Sequence, residues 1–125
     1  MPSASLHRKP EPRRVLTGAV LRASALLDIT QSGLAQILGL SPSTVSRMAK
    51  GAYALDTQKK EWELGALFVR LFRALDAVIG SNDGAARSWL NGENVGLAGR
   101  PIDLIRSTEG LVRVVQYLDS ARGRI

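Results

Sequence analysis

Between residues 41 and 50 the chain reads SPSTVSRMAK, which places four hydroxyls and two cations around Val45 and Met48. On a helix, Val45 and Met48 turn inward while Ser43, Thr44, Ser46 and Arg47 face outward. The chemistry open to such a row is recognition rather than bond-making. Serine and threonine hydroxyls hydrogen-bond base edges or phosphates, and an arginine either forks onto guanine or holds a phosphate. Ser41 and Lys50 bracket the row, and Gln31 further upstream could touch the nucleic-acid backbone or support the reading helix. The bland alternative is a solvated outer face on a hairpin that packs internally.

The elements that must position this row are legible in Gln31–Lys50, QSGLAQILGLSPSTVSRMAK, which reads as a helix-turn-helix. Leu34, Leu38, Leu40, Val45 and Met48 carry the inward spacing. Ala35 sits where the first helix must let the second pass, and Gly39 sits at a corner that needs left-handed backbone. Ser41 is the natural N-cap of the second helix, with Pro42 in its first turn.

The charge distribution agrees with a polyanionic partner. Net charge is +6 overall; residues 1–50 hold seven Lys/Arg against two acids, and residues 51–125 hold ten against nine. The excess therefore falls on the reading element and the segment leading to it. There is no cysteine, which excludes disulfides, thiolate metal sites and a cysteine nucleophile. The single histidine, His7, lies in the leading segment, so no histidine-based catalytic or metal constellation is expected. No metal or cofactor is expected, and the chain is not read as an enzyme. GENVGLAG is rich in glycine but follows a helical segment and lacks the strand–loop–helix context of a phosphate cradle. No apolar run is long enough for a bilayer and no signal-peptide core follows the start. The simplest reading is a cytoplasmic protein with no membrane partner.

The periodicity predicts an all-α fold: a helix-turn-helix bundle, then a long central helix, then a small C-terminal helical module. Residues 1–12 read as a flexible basic arm and 13–56 as the DNA-binding domain. The first helix, Arg14 to Asp28, carries Val15, Leu16, Ala19, Val20, Ala23, Leu26 and Leu27 at inward spacing. Thr57 opens the longest helix, over 57–80. Its stripe from Trp62 to Ile79 is wider than one partner helix needs; it suits either a dimer seam or the buried centre of a monomer. In the last region, 81–125, short helices are expected over Ala85–Leu90 and Ile102–Arg106. Ser107 or Thr108 caps a final helix through Ala121, with Leu111, Val114, Val115 and Leu118 inward. Gly110 near a helix start costs roughly 1 kcal/mol relative to alanine, which suggests close approach of another segment.

Trp89-Leu90-Asn91, Leu97, Gly99-Arg100-Pro101, Leu104, Thr108-Glu109-Gly110, Val114-Val115, Leu118 and Gly123 form an ordered series. It resembles the toxin-binding domain of the Xre/MbcA/ParS antitoxins, and the helix-turn-helix is similar to the Xre-type domain these carry. The resemblance implies an antitoxin encoded beside a RES-domain toxin that depletes cellular NAD. Such an antitoxin binds the toxin through its C-terminal module and represses its own operon through the helix-turn-helix. It also implies that the end of the chain approaches the toxin's NAD site. Here that end is Arg122-Gly123-Arg124-Ile125, where an arginine could pair with acidic toxin groups or the terminus could simply fray. Arg100 is either an interface contact or an internal cap on a helix C-terminus. Trp89 is either core or an interface anchor. Partners implied are the RES-domain toxin, operator DNA with an inverted repeat, and a homodimer or a larger hetero-oligomer with the toxin. The competing reading is a stand-alone dimeric regulator whose C-terminal half only dimerises or binds a ligand.

Overall fold

A computed structural model describes residues 11–122. The expected arm therefore lies outside the described residues except for its last two positions, and those two are not arm. Glu11 caps the first helix by accepting from the Arg13 backbone N–H (3.3 Å), and Pro12 occupies its first position. Proline is at home there because its missing N–H would be unpaired anyway. Helix α1 thus runs Pro12–Leu26, starting before and ending short of the predicted Arg14–Asp28. It is followed by α2 (Gln31–Leu38), α3 (Pro42–Ala49), α4 (Lys60–Ile79), α5 (Asp83–Asn91), α6 (Pro101–Leu104) and α7 (Thr108–Arg122). Among the described residues extended pairing is limited to a single antiparallel bridge, Asn94 with Gly99, so the fold is all-α.

Local chemistry explains most boundaries. The Thr30 hydroxyl accepts from the Gly33 N–H (3.0 Å) to start α2. Gly39 ends it at φ 70°, the left-handed conformation that lets Leu40 N–H reach back to the Ala35 carbonyl. Asn82 caps α5 through the Ala85 N–H. Of the two candidate caps for α7, Ser107 serves, its hydroxyl accepting from the Gly110 N–H at 3.0 Å. Helix α4 corrects the expectation: it begins at Lys60, not Thr57. The Asp56 carboxylate accepts from the Gln58 N–H (2.9 Å), which holds residues 56–58 in a turn. Lys59 takes the cap position without a side-chain cap. Helix α6 opens with Pro101, as its position before Ile102 suggests, but ends at Leu104, short of the expected Arg106.

Helix α4 is the axis of the molecule, touching α1, α2, α5 and α7. That is why its apolar stripe is broad: Leu64, Phe68, Leu71 and Leu75 are buried, and Trp62, Leu67, Phe72 and Ile79 pack at the margins. On α1 the stripe is narrower than predicted. Leu16, Val20, Ala23 and Leu27 make the inward row, whereas Val15 (53% exposed) and Leu26 (41% exposed) sit to either side of it. One neighbouring helix covers only one face of α1, so residues a helical step off that row remain open. Val78, also expected inward, is exposed near the end of α4. The Arg70–Asp119 ion pair also links α4 to α7. Being largely exposed, it contributes about 1 kcal/mol at most; burial of the apolar stripes holds these helices together more strongly.

Candidate functional site

Helix α3 presents the row expected of it. Val45 and Met48 are buried, Ser43, Arg47 and Lys50 are exposed, and Thr44 and Ser46 are half-buried. Ser41 is the pivot. Its hydroxyl accepts from the Thr44 N–H (3.1 Å) and lies 3.1 Å from the Ser43 hydroxyl and 2.9 Å from that of Thr44. Arg47 then donates to the Thr44 hydroxyl at 3.1 Å. The four side chains form one hydrogen-bonded string along the outer face. Gln31, at the first position of α2, shares a shallow cleft with Val45 and Ala49 of α3. It is thus beside α3 rather than on its outer row. Lys50 closes α3, and its N–H returns to the Ser46 and Arg47 carbonyls.

Two residues that the sequence does not single out complete the arrangement. The Arg47 guanidinium lies 5.9 Å from the centre of the Tyr53 ring, within cation–π range. The Tyr53 hydroxyl donates to the Glu61 carboxylate at 2.5 Å, and the Asp56 N–H donates to the same oxygen at 2.9 Å. Glu61 is buried, which an acidic side chain tolerates only with such partners. Tyr53 lies between α3 and α4 and Glu61 in the first turn of α4, and no local sequence pattern announces a bond between them. The basic excess is also partly internal. Arg13 donates to the Leu55 carbonyl (2.9 Å) and the Ala54 carbonyl (2.8 Å), tying α1 to the segment between α3 and α4 instead of facing a partner.

The bond to Glu61, burial and the Glu61 charge together push the Tyr53 hydroxyl from 10.0 up to about 12. A group whose folded value is raised stabilises the fold fully below its unfolded value and loses that contribution as pH rises through the folded one. Tyr53→Phe is therefore expected to be less stable than the parent below pH 10, the gap closing between pH 10 and about 12. Urea unfolding of both proteins across that range checks this, and a gap independent of pH would dismiss the bond.

In the C-terminal module, Arg100 behaves as an internal cap. Its Nε donates to the Asn91 carbonyl at 2.8 Å, closing the end of α5, and its Nη1 lies 3.4 Å from Asp103. Trp89 is half-buried and packs its ring against Tyr117, with centroids 6.3 Å apart. Arg122 is exposed at the end of α7 and lines a shallow depression with Arg70, Arg73 and Asp119. Gly123, Arg124 and Ile125 lie outside the described residues. Among the described residues no group of three acids or histidines could hold a metal, and no helix is long and apolar enough to cross a membrane.

A capped, hydroxyl-bearing helix set across a tight glycine corner from its partner defines a helix-turn-helix protein. The family comparisons are more specific. Residues 1–70 match the antitoxin Xre-like helix-turn-helix domain. Residues 74–124 match the antitoxin Xre/MbcA/ParS C-terminal toxin-binding domain. The chain belongs to the Xre-type antitoxin family. Its fold is similar to that of a chain in the crystal structure of the M. tuberculosis MbcT-MbcA toxin-antitoxin complex. The two share 25% identity over 89% of this chain and 96% of that one, with a TM-score of 0.66. Comparison with curated protein sequences gives no significant match.

Proposed function

We propose that this chain neutralises a RES-domain, NAD-depleting toxin by direct binding through α5–α7, and represses its own operon through α2 and α3. It acts by binding alone, with no catalysis and no cofactor. This reading places it in the cytoplasm, where operator DNA and NAD are found. The observation that carries it is the pairing of two surfaces on one chain: the exposed string from Ser41 to Arg47 and a toxin-binding domain over residues 74–124. On the DNA side, Ser43, Thr44, Ser46 and Arg47 face the groove. Ser41 acts by holding the N-terminus of α3, and Gln31 and Lys50 sit at the margins for backbone contact. On the toxin side, Trp89 and Arg122 contribute directly. Arg100 contributes through the shape of the α5 end that it caps, and Gly123, Arg124 and Ile125 complete the toxin-side set.

The functional DNA form is a homodimer on an inverted repeat, because two reading helices about 34 Å apart match one helical turn. Arg47→Ala is expected to weaken operator binding by about 1–3 kcal/mol, measured by electrophoretic shift with the chain's own upstream DNA. An unchanged affinity and footprint would remove Arg47 from the reading set. The toxin arm is tested by co-expression with the adjacent RES-domain gene. Growth rescue and a co-purifying complex are expected; their absence would leave the stand-alone regulator. That second reading has one feature in its favour, an open apolar groove of about 630 Å³ between α1 and α4, lined by Val15, Leu16, Ala19, Trp62, Ala66 and Val69.

A further inference from the structure

The loop between α5 and α6 presents an apolar side chain to solvent on a backbone closed by its own hydrogen bonds. Val95 is 98% exposed. The backbone around it is tightly closed: Asn94 N–H donates to the Gly99 carbonyl (2.9 Å), and Gly99 N–H returns to the Asn94 carbonyl (3.2 Å). The Asn94 side chain accepts from the Leu97 N–H at 3.0 Å. Leu97 is buried beneath the loop, and Arg113 of α7 donates to its carbonyl at 2.6 Å. Ala98 adopts φ 56°, a left-handed conformation that strains a non-glycine residue. The loop is thus anchored at its base and strained near its end, while its tip carries a bare isopropyl group.

The tip does not stand alone. Gly96, the next residue, lies so close to the Tyr117 ring that a Cβ there would come within 2.8 Å of it. Tyr117 is itself 36% exposed and packs on half-buried Trp89. Gly96 therefore brings the loop against the Tyr117–Trp89 pair, with Val95 one residue away along the chain. A single exposed valine is ordinary. A valine on a hydrogen-bonded loop that packs on a tyrosine–tryptophan pair offers a partner an apolar group flanked by the residue types enriched at hot spots.

We propose that Val95, with the Tyr117–Trp89 pair against its loop, is the anchor by which this chain grips its toxin, seating in a pocket lined by aliphatic side chains. The inference rests on the toxin-neutralising reading and names the surface that performs it. All three residues fall within the part of the chain that matches the toxin-binding domain, which is why the occupant is the toxin rather than a second copy of the chain.

The test uses the full chain and, as probe, the purified RES-domain protein encoded beside it. Because the Val95 side chain touches little within the protomer, Val95→Ala and V95D should melt at the parent temperature and bind upstream DNA as the parent does. Val95→Ala should weaken toxin binding about tenfold, as expected for two buried carbons. V95D should weaken it about a hundredfold or more, since it drives a carboxylate into an apolar pocket. Tyr117→Phe should keep most of the affinity and Tyr117→Ser should lose it. Parent-like toxin binding by V95D would overturn the proposal while leaving the toxin reading intact. So would loss of self-association in V95D, seen by sedimentation, with toxin binding unchanged; a second copy would then be the occupant. A parent chain that does not bind the RES-domain protein would bring down the toxin reading and this anchor together.

Discussion

Replacing Gly110 with alanine is expected to destabilise the protein by about 3 kcal/mol, read from urea unfolding followed by circular dichroism. Two effects oppose each other at this position. Alanine is the better helix former by roughly 1 kcal/mol, and Gly110 lies in the first turn of α7. Against this, a Cβ on Gly110 would overlap the Leu104 carbonyl oxygen and carbon, which are backbone atoms that cannot swing aside. The carbonyl belongs to the end of α6, and α7 begins almost at once through the Ser107 cap. Relief would require α6 to separate from α7, pulling on buried Ile105 and Leu111. Overlap with backbone outweighs the propensity gain. A more stable Gly110→Ala protein would show that α6 and α7 are not held at this spacing. If the proposed toxin-binding role of Trp89 and Tyr117 holds, the variant should also lose toxin protection, because α5 and α7 carry these two residues.

Phe68→Ala is expected to cost about 3–5 kcal/mol, the usual range for deleting a buried aromatic ring. Phe68 is 0% exposed and lies near the middle of α4. Domain stabilities are of order 5–15 kcal/mol, so this change removes much of the total. Its more informative consequence concerns cooperativity. Helix α4 touches α1 and α2 of the helix-turn-helix part and α5 and α7 of the C-terminal part. The loss should therefore be felt in both. Trp62 on α4 and Trp89 on α5 make separate reporters in Trp89→Phe and Trp62→Phe backgrounds. With Phe68→Ala added, both should report the same lowered midpoint. A shift confined to one reporter would mean that the halves unfold independently and that α4 does not bind them into a single unit.

These two residues show how differently parts of the molecule can be read. Gly110 stands out in the sequence because it contradicts the helical pattern around it, and a local contradiction points to a neighbour that must come close. Phe68 is one apolar residue in a stripe too wide to interpret. Only the surrounding helices show that the width reflects four partners. Val15 and Leu26 illustrate the converse: their spacing suits an inward face, but α1 is covered on one side only.

What the amino-acid order determined by itself is whatever depends on a few consecutive residues. The Ser41 and Thr30 caps, the left-handed turn at Gly39, the proline at the start of α3 and the outward hydroxyl–guanidinium row all follow from hydrogen bonds and sterics within a helical turn. The ordered series from Trp89 onward carried the family in the same way. Tertiary structure alone decided the contacts between residues distant in sequence. Arg13 is tied to the Ala54 and Leu55 carbonyls, and the Arg113 clamp holds Leu97 and with it the exposed Val95. Tyr53 and Glu61, though only a turn and a helix start apart, also meet only because the chain folds back. The reason is physical: periodicity and capping record how a segment satisfies its own backbone, whereas these contacts depend on which surfaces helix packing leaves facing one another.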